Sequence, residues 1–266
     1  MNDRPAVSIQ GVSKQFKAGV TALSGIDLDV RPQEFVSLIG PSGCGKSTLL
    51  RIIGDLIDPS EGVVEVNGKP ASQARRDHDY GIVFQEAVLY DWRTVAKNIA
   101  LPLELLRWSR EKRTQRVNEL LRLVELEGFE DRRPWELSGG MQQRVAIARA
   151  LSFDPSLLLM DEPFGALDEM TRERLNMELL RIWEASGSTI VFVTHSIAEA
   201  VFLSTRVVVM SPRPGQIADI VEVDLPYPRT ADTREEPRFF ELVTGVRERL
   251  AGRGAQVEPE LAEEAQ

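Results

Sequence analysis

The run Gly40-Pro41-Ser42-Gly43-Cys44-Gly45-Lys46-Ser47-Thr48 has the G-x-x-x-x-G-K-[ST] spacing of a phosphate-binding loop. Glycines remove the Cβ barrier, so consecutive backbone N–H groups can curl around an anion. A helix starting near Lys46 adds the partial positive charge of its N-terminus. Lys46 is then placed to reach the β- and γ-phosphates and Ser47 to ligate Mg²⁺. Further along, Asp161 and Glu162 close an apolar run, and Pro163 forbids its continuation. Adjacent carboxylates on an extended chain point to opposite sides, which suits Asp161 to a metal and Glu162 to a general base facing the attacking water. Beside a nucleotide, the Gln85 amide can ligate Mg²⁺ and orient water, and the His195 imidazole can hydrogen-bond a γ-phosphate. Cys44, near Lys46 and a helix N-terminus, is expected to favour the thiolate.

A second constellation runs from Leu137 to Leu151, Leu-Ser-Gly-Gly-Met-Gln-Gln-Arg-Val-Ala-Ile-Ala-Arg-Ala-Leu. Ser138 can cap a helix whose first residues, Gly139 and Gly140, leave N–H groups bare toward an anion. Two glycines opening a helix destabilise it, so their presence implies a close approach to the backbone.

These residues need a scaffold, and the pattern of apolar runs supplies one. Short apolar segments alternate with turn residues over 7–38, and Gly62 to Val66 alternates before an Asn67-Gly68 turn, a hairpin signal. Four apolar runs each end at a chemically competent residue: Ser37 to Ile39 at Gly40, Ile82 to Phe84 at Gln85, Leu157 to Met160 at Asp161, and Thr189 to Val193 at Thr194-His195. Runs buried on both faces and separated by helical segments mark a parallel sheet, whose ligands bind beyond the carboxyl ends of its strands. Arg206 to Met210 supplies a further strand, stopped by Ser211-Pro212-Arg213-Pro214-Gly215. Between about 90 and 150 the period becomes helical, with Val117, Leu120, Leu121 and Val124 on one face, which predicts a helical insertion. The basic cluster Arg107, Arg110, Lys112, Arg113 and Arg116 reads as a solvated helix face. Residues 251–266 are small, polar and acidic and read as a disordered tail, leaving 1–250 as one domain.

The 266 residues, 42% hydrophobic, suffice for one large α/β domain. A formal net charge of −9 argues against nucleic acid or an anionic lipid surface as the main partner, because both repel an acidic protein. One cysteine excludes an internal disulfide, and two histidines are poor material for a metal site, which fits a reducing compartment. The first residues lack the apolar core of a signal peptide, and apolar runs of four to five residues are too short to cross a membrane.

In order and spacing, Gly40 to Thr48, Gln85, Leu137 to Arg144, Leu158 to Glu162, Ala166-Leu167-Asp168 and His195 resemble the nucleotide-binding subunit of ATP-binding cassette (ABC) transporters, over about residues 5–225. The resemblance implies an α/β P-loop NTPase core with a parallel sheet, an N-terminal antiparallel β subdomain and an inserted α-helical subdomain. It implies that Phe16 stacks on adenine and that Asp168 belongs to a loop signalling between protomers. Two cassettes sandwich two ATP molecules head to tail in that family, so Ser138, Gly139 and Gly140 of one chain would face the γ-phosphate held by Lys46 of the other. One copy of each motif then implies a homodimer with ATP and Mg²⁺. Val83-Phe84-Gln85, Trp92 to Val95, Asn98 to Leu103, Asp161 to Asp168 and Ser211 to Gly215 narrow the resemblance to the nitrate/sulfonate/taurine importers of bacteria. That group implies integral membrane permease subunits, a solute-binding protein acting indirectly, and a peripheral place on the cytoplasmic face of the inner membrane. Tyr90-Asp91, Ser196 and Met141 depart from the group's pattern, and the first departure lies in the segment expected to meet the membrane subunit. The alternative class is a soluble ABC ATPase of DNA repair or translation; those relatives carry long coiled-coil insertions or tandem cassettes, which this chain lacks. A small-molecule kinase with the same loop leaves Leu137 to Arg144 unexplained.

Overall fold

Alternating and continuous apolar runs fold in this computed structural model, which describes residues 4–17, 19–165 and 167–254, as two kinds of sheet. In chain order the first elements are β1 (Val7–Gln15), β2 (Thr21–Val30), β3 (Phe35–Ile39), α1 (Lys46–Ile53), β4 (Glu61–Val66), β5 (Lys69–Pro70), α2 (Ala71–Arg76) and β6 (Tyr80–Val83). Then come α3 (Val95–Leu105), α4 (Arg110–Leu123), α5 (Gly139–Leu151), β7 (Leu157–Asp161) and α6 (Glu169–Ser186). The chain continues through β8 (Thr189–Val193), α7 (Ile197–Leu203), β9 (Arg206–Met210), β10 (Ile217–Glu222) and α8 (Pro237–Gly254). They form two compact units, Met1–Asp77 with Thr189–Gln266, and His78–Ser188.

In the first unit an antiparallel sheet runs β2-β1-β4-β5. Its alternation is that of a half-buried sheet: Ile26, Leu28 and Val30 are buried while Asp27 and Asp29 face out. The Asn67-Gly68 hairpin forms as expected, with φ of 53° and 71°, the pair of positive values a type I′ turn requires. The same unit holds β3 between β8 and β9, both parallel to it, with β10 antiparallel on β9. Every residue of β3, β8 and β9 is buried, which is why these strands read as continuous apolar runs. The buried Arg206 Nη2 donates to the Glu34 carboxylate at 2.7 Å and to the Asp29 carbonyl at 2.6 Å, so β9 is fastened to the ends of β2 and β3.

The second unit holds the parallel pair β6 and β7 and the expected helical segment. Val117, Leu120 and Leu121 are buried on α4, each contributing about 1.5–3 kcal/mol relative to exposure. The fully buried Asn98 of α3 donates to the Tyr90, Arg93 and Thr94 carbonyls at 3.0–3.2 Å and accepts from the Tyr90 N–H at 2.8 Å, which fixes the loop before its own helix. The basic cluster is only partly a solvated face. Arg116 donates to the Leu151 and Ser152 carbonyls at 3.0 and 3.1 Å, closing the C-terminus of α5, and pairs with Asp154. Arg113 pairs with Glu104 of α3 at 3.5 Å. Of the tail expected at 251–266, residues 251–254 belong to α8; 255–266 lie outside the described residues.

Candidate active site

In the first unit the phosphate loop joins β3 to α1, and its glycines answer to geometry. Gly43 and Gly45 have φ of 76° and 107°, values that disfavour any side chain. A Cβ on Gly45 would also stand 2.6 Å from Leu23 Cδ2 and 2.9 Å from the Ala22 carbonyl. Pro41, Ser42 and Gly43 are exposed, Gly40, Gly45, Ser47 and Thr48 half-buried, and no side chain caps the start of α1. Lys46 is buried, and its ammonium donates to the Gly40 and Pro41 carbonyls at 2.8 and 3.2 Å, so the charge lies across the loop.

Cys44 corrects the expectation of a thiolate. It is 1% exposed, and burial pushes its thiol up more strongly than the Lys46 charge and the loop N–H groups pull it down. Phe16 is 42% exposed with the Lys14 ammonium 5.4 Å from its ring centre, so it is a surface aromatic. His195 is exposed two residues beyond Val193, whose register partner on β3 is Leu38; Gly40 lies two residues beyond Leu38. His195 and the loop's first glycine thus leave neighbouring strands at one level. Behind His195, Thr194 hydrogen-bonds the buried Glu199 carboxylate, and the Ser196 hydroxyl accepts from the Glu199 N–H at 3.3 Å, which sets the start of α7.

The second unit repeats this logic. Val83 of β6 pairs with Met160 of β7, so Gln85 and Glu162 each lie two residues past a matched pair. Asp161 is buried at the last position of β7. Glu162 is not extended, as the reading of two opposed carboxylates assumed: its φ is 47°, and its carbonyl accepts from the Gly165 N–H at 3.0 Å. A turn, not strand pleat, therefore separates the two carboxylates, and a non-glycine residue is held in the left-handed region at this position. A Cβ on Gly165 would stand 3.2 Å from Gln85 Nε2 and 3.6 Å from Glu162 Oε2, so the amide and the carboxylate flank one glycine.

Ser138 caps α5 by accepting from the Met141 N–H at 3.3 Å. Ser138 and Gly139 are exposed, whereas Gly140 is buried with its Cβ position 3.2 Å from Thr171 Cγ2 of α6. A close approach to the second glycine therefore exists within the chain. Asp168 caps α6, and the Thr171 N–H holds its carboxyl below the usual range; Ala166 lies outside the described residues. Two residues of α5 to which the sequence pattern gave no individual role, Gln143 and Arg149, hold the chain around Gln85. Gln143 donates to the Phe84 carbonyl at 3.0 Å, and Arg149 to the Ala87 and Val88 carbonyls at 3.0 and 2.9 Å. The available signal was their polarity within a stretch otherwise suited to packing.

Ser47 in the first unit offers a hydroxyl, and Gln85 and Asp161 in the second an amide oxygen and one carboxylate, each a hard donor of the kind Mg²⁺ takes. A family model for ABC transporters matches residues 23–165. The chain belongs to the ABC transporter family. An uncharacterised ABC transporter ATP-binding protein of Methanocaldococcus jannaschii is 50% identical across 84% of this chain and 84% of its own length. The aliphatic sulfonates import ATP-binding protein SsuB of Bacillus cereus is 48% identical across 87% of this chain and 92% of its own. Among solved structures, the dimeric ATP-binding cassette MJ0796, in a post-hydrolysis state bound to ADP and Pi, matches with a TM-score of 0.71 at 37% identity, over 82% of this chain and 98% of that one. The cbiO1 subunit of the Clostridium perfringens ABC transporter complex cbiONQ matches with a TM-score of 0.78 at 25% identity, over 96% and 100%. The chain is accordingly an ABC transporter ATPase subunit that binds ATP and hydrolyses it to drive transport. Among the described residues, no helix is long and apolar enough to cross a membrane.

Proposed function

We propose that this chain energises a bacterial importer of a small organic or inorganic anion such as a sulfonate, taurine or nitrate. The observation that carries the import reading is the near-half identity, over most of both chains, to relatives named for aliphatic sulfonate import. In this reading the loop Gly40 to Thr48 wraps the triphosphate and Phe16 stacks on adenine. Lys46 turns its ammonium from the loop carbonyls to β- and γ-phosphate oxygens. Glu162 takes the proton of the attacking water, Gln85 orients that water, and His195 donates to the γ-phosphate. Ser47, Gln85 and Asp161 would hold Mg²⁺, which when bound neutralises charge developing on the phosphate oxygens. Ser138, Gly139 and Gly140 face the γ-phosphate of a second copy arranged head to tail, so that each site is completed by its twin.

Closing of this pair on ATP and reopening after hydrolysis would move a separate integral membrane permease, with the chain peripheral on the cytoplasmic face of the inner membrane and a solute-binding protein delivering cargo. The test is uptake of labelled sulfonates, taurine and nitrate by cells carrying the wild-type chain or Lys46→Ala. Loss of uptake of one of these anions in the variant is the expected result. Unchanged uptake of the whole panel, or Mg²⁺-dependent ATP hydrolysis absent even with the membrane partner, would sink the reading.

A further inference from the structure

The β9–β10 hairpin presses on the phosphate loop from outside. It is closed at its base by the Ser211 N–H donating to the Gln216 carbonyl at 2.9 Å and the Gln216 N–H donating to the Ser211 hydroxyl at 3.0 Å. Pro212 and Pro214 restrict the backbone on either side of Arg213, so the hairpin tip carries little conformational freedom of its own. Because β9 lies directly against β3, this tip falls beside the loop that leaves β3. Two contacts join them. Arg213 Nε and Nη2 both donate to the Gly43 carbonyl, at 3.2 and 3.1 Å. Gly215 lies so close beneath the loop that a Cβ there would collide with the Cys44 carbonyl, while its own N–H and carbonyl are taken by Ala22 at 2.9 Å and Ser24 at 3.0 Å.

We propose that Arg213 is a positioning residue for nucleotide binding, its guanidinium holding the Gly43 carbonyl away from the phosphate cup. A peptide group is planar, so fixing the Gly43 carbonyl also fixes the Cys44 N–H, which donates to the Pro41 carbonyl at 3.2 Å and so holds the turn of the loop. A carbonyl rotated into an anion-binding loop would set its negative end against the phosphates, whereas one held outward leaves the cup lined by N–H groups and Lys46. The Gly40 and Pro41 carbonyls are engaged from within by Lys46, and Gly43 is engaged from without by Arg213. This assignment rests on the reading of Gly40 to Thr48 as the triphosphate site.

Equilibrium binding of Mg-ATP to the full chain, with steady-state hydrolysis alongside its permease, tests it. Arg213 is exposed, so its replacement leaves the core intact. Arg213→Ala is expected to raise the ATP Kd and KM about tenfold with kcat within about twofold, the size of one lost charge-assisted hydrogen bond. Arg213→Lys, which keeps a charged donor, should recover to within about threefold of wild type, and Arg213→Gln, a neutral donor, should fall between Lys and Ala. Binding by Arg213→Ala within about twofold of wild type, Lys no better than Ala, or a fall in kcat at constant KM each overturns the proposal. A wild-type chain that binds no ATP overturns the triphosphate reading as well, which separates the two failures.

Discussion

Cys44 and Lys46 are two residues apart and both buried, yet burial has a different consequence for each. The ammonium is compensated by two carbonyls, while the thiol has a weak donor's chemistry and is held protonated by its surroundings. Maleimide at neutral pH should therefore label folded protein far more slowly than protein in denaturant, and ATPase activity should survive the exposure. Rapid stoichiometric labelling without denaturant would refute this. Glu162→Gln belongs to the same level of argument. If its carboxylate is the general base, hydrolysis should fall by about 10² to 10⁴ while ATP still binds; a variant retaining more than about a tenth of wild-type kcat would remove it from that role. The glycine spacing was readable because Gly43 and Gly45 adopt backbone angles that other residues resist. The turn at Glu162 was not, because nothing in the identity of a glutamate announces a positive φ.

The helix α5 also fastens the chain around it. Gln143 and Arg149, on its length, hold the carbonyls of Phe84, Ala87 and Val88, and so set the segment that begins at Gln85. Arg149→Ala should lower kcat several-fold with an unchanged ATP Kd, since it loosens the residue proposed to orient water and leaves the phosphate loop alone; the binding isotherm and the rate together check it. Arg144 of the same helix donates to the Val124 and Glu125 carbonyls at 3.1 and 3.3 Å and stands 3.7 Å from Glu178 of α6. Burial raises the Glu178 carboxyl despite Arg144, so the folded state holds its proton more tightly than the unfolded chain does. Stability from this group is thus complete below the ordinary 4.5 and is lost as pH rises through the higher folded value. Glu178→Gln should have a Tm at pH 7.5 equal to or above wild type, with any advantage vanishing near pH 4; a lower Tm at pH 7.5 would mean that the ion pair outweighs desolvation. Strands and the helical stretch were readable from burial pattern, but these fasteners join residues far apart in sequence and become visible only when the helices pack.

At the level of the whole molecule, the sequence contains one phosphate loop and one Leu-Ser-Gly-Gly run, and the exposed pair Ser138-Gly139 opens α5, with Leu167 Cδ2 3.4 Å from the Cβ position of Gly139. An exposed helix start of this kind favours an anion supplied by another molecule. Under the proposed head-to-tail pairing, hydrolysis would dissolve the contact that ATP creates, so a dimer should be measurable when cleavage is blocked. Glu162→Gln with Mg-ATP should sediment at twice the 29.8 kDa of one chain, and with ADP at the single mass. Adding Ser138→Arg places a bulky side chain where the second copy's γ-phosphate would arrive, and should keep the protein at the single mass while each chain still binds ATP through its own loop. Dimers that persist in this double variant, or that form equally with ADP, would show that the pair closes on some surface other than the nucleotide.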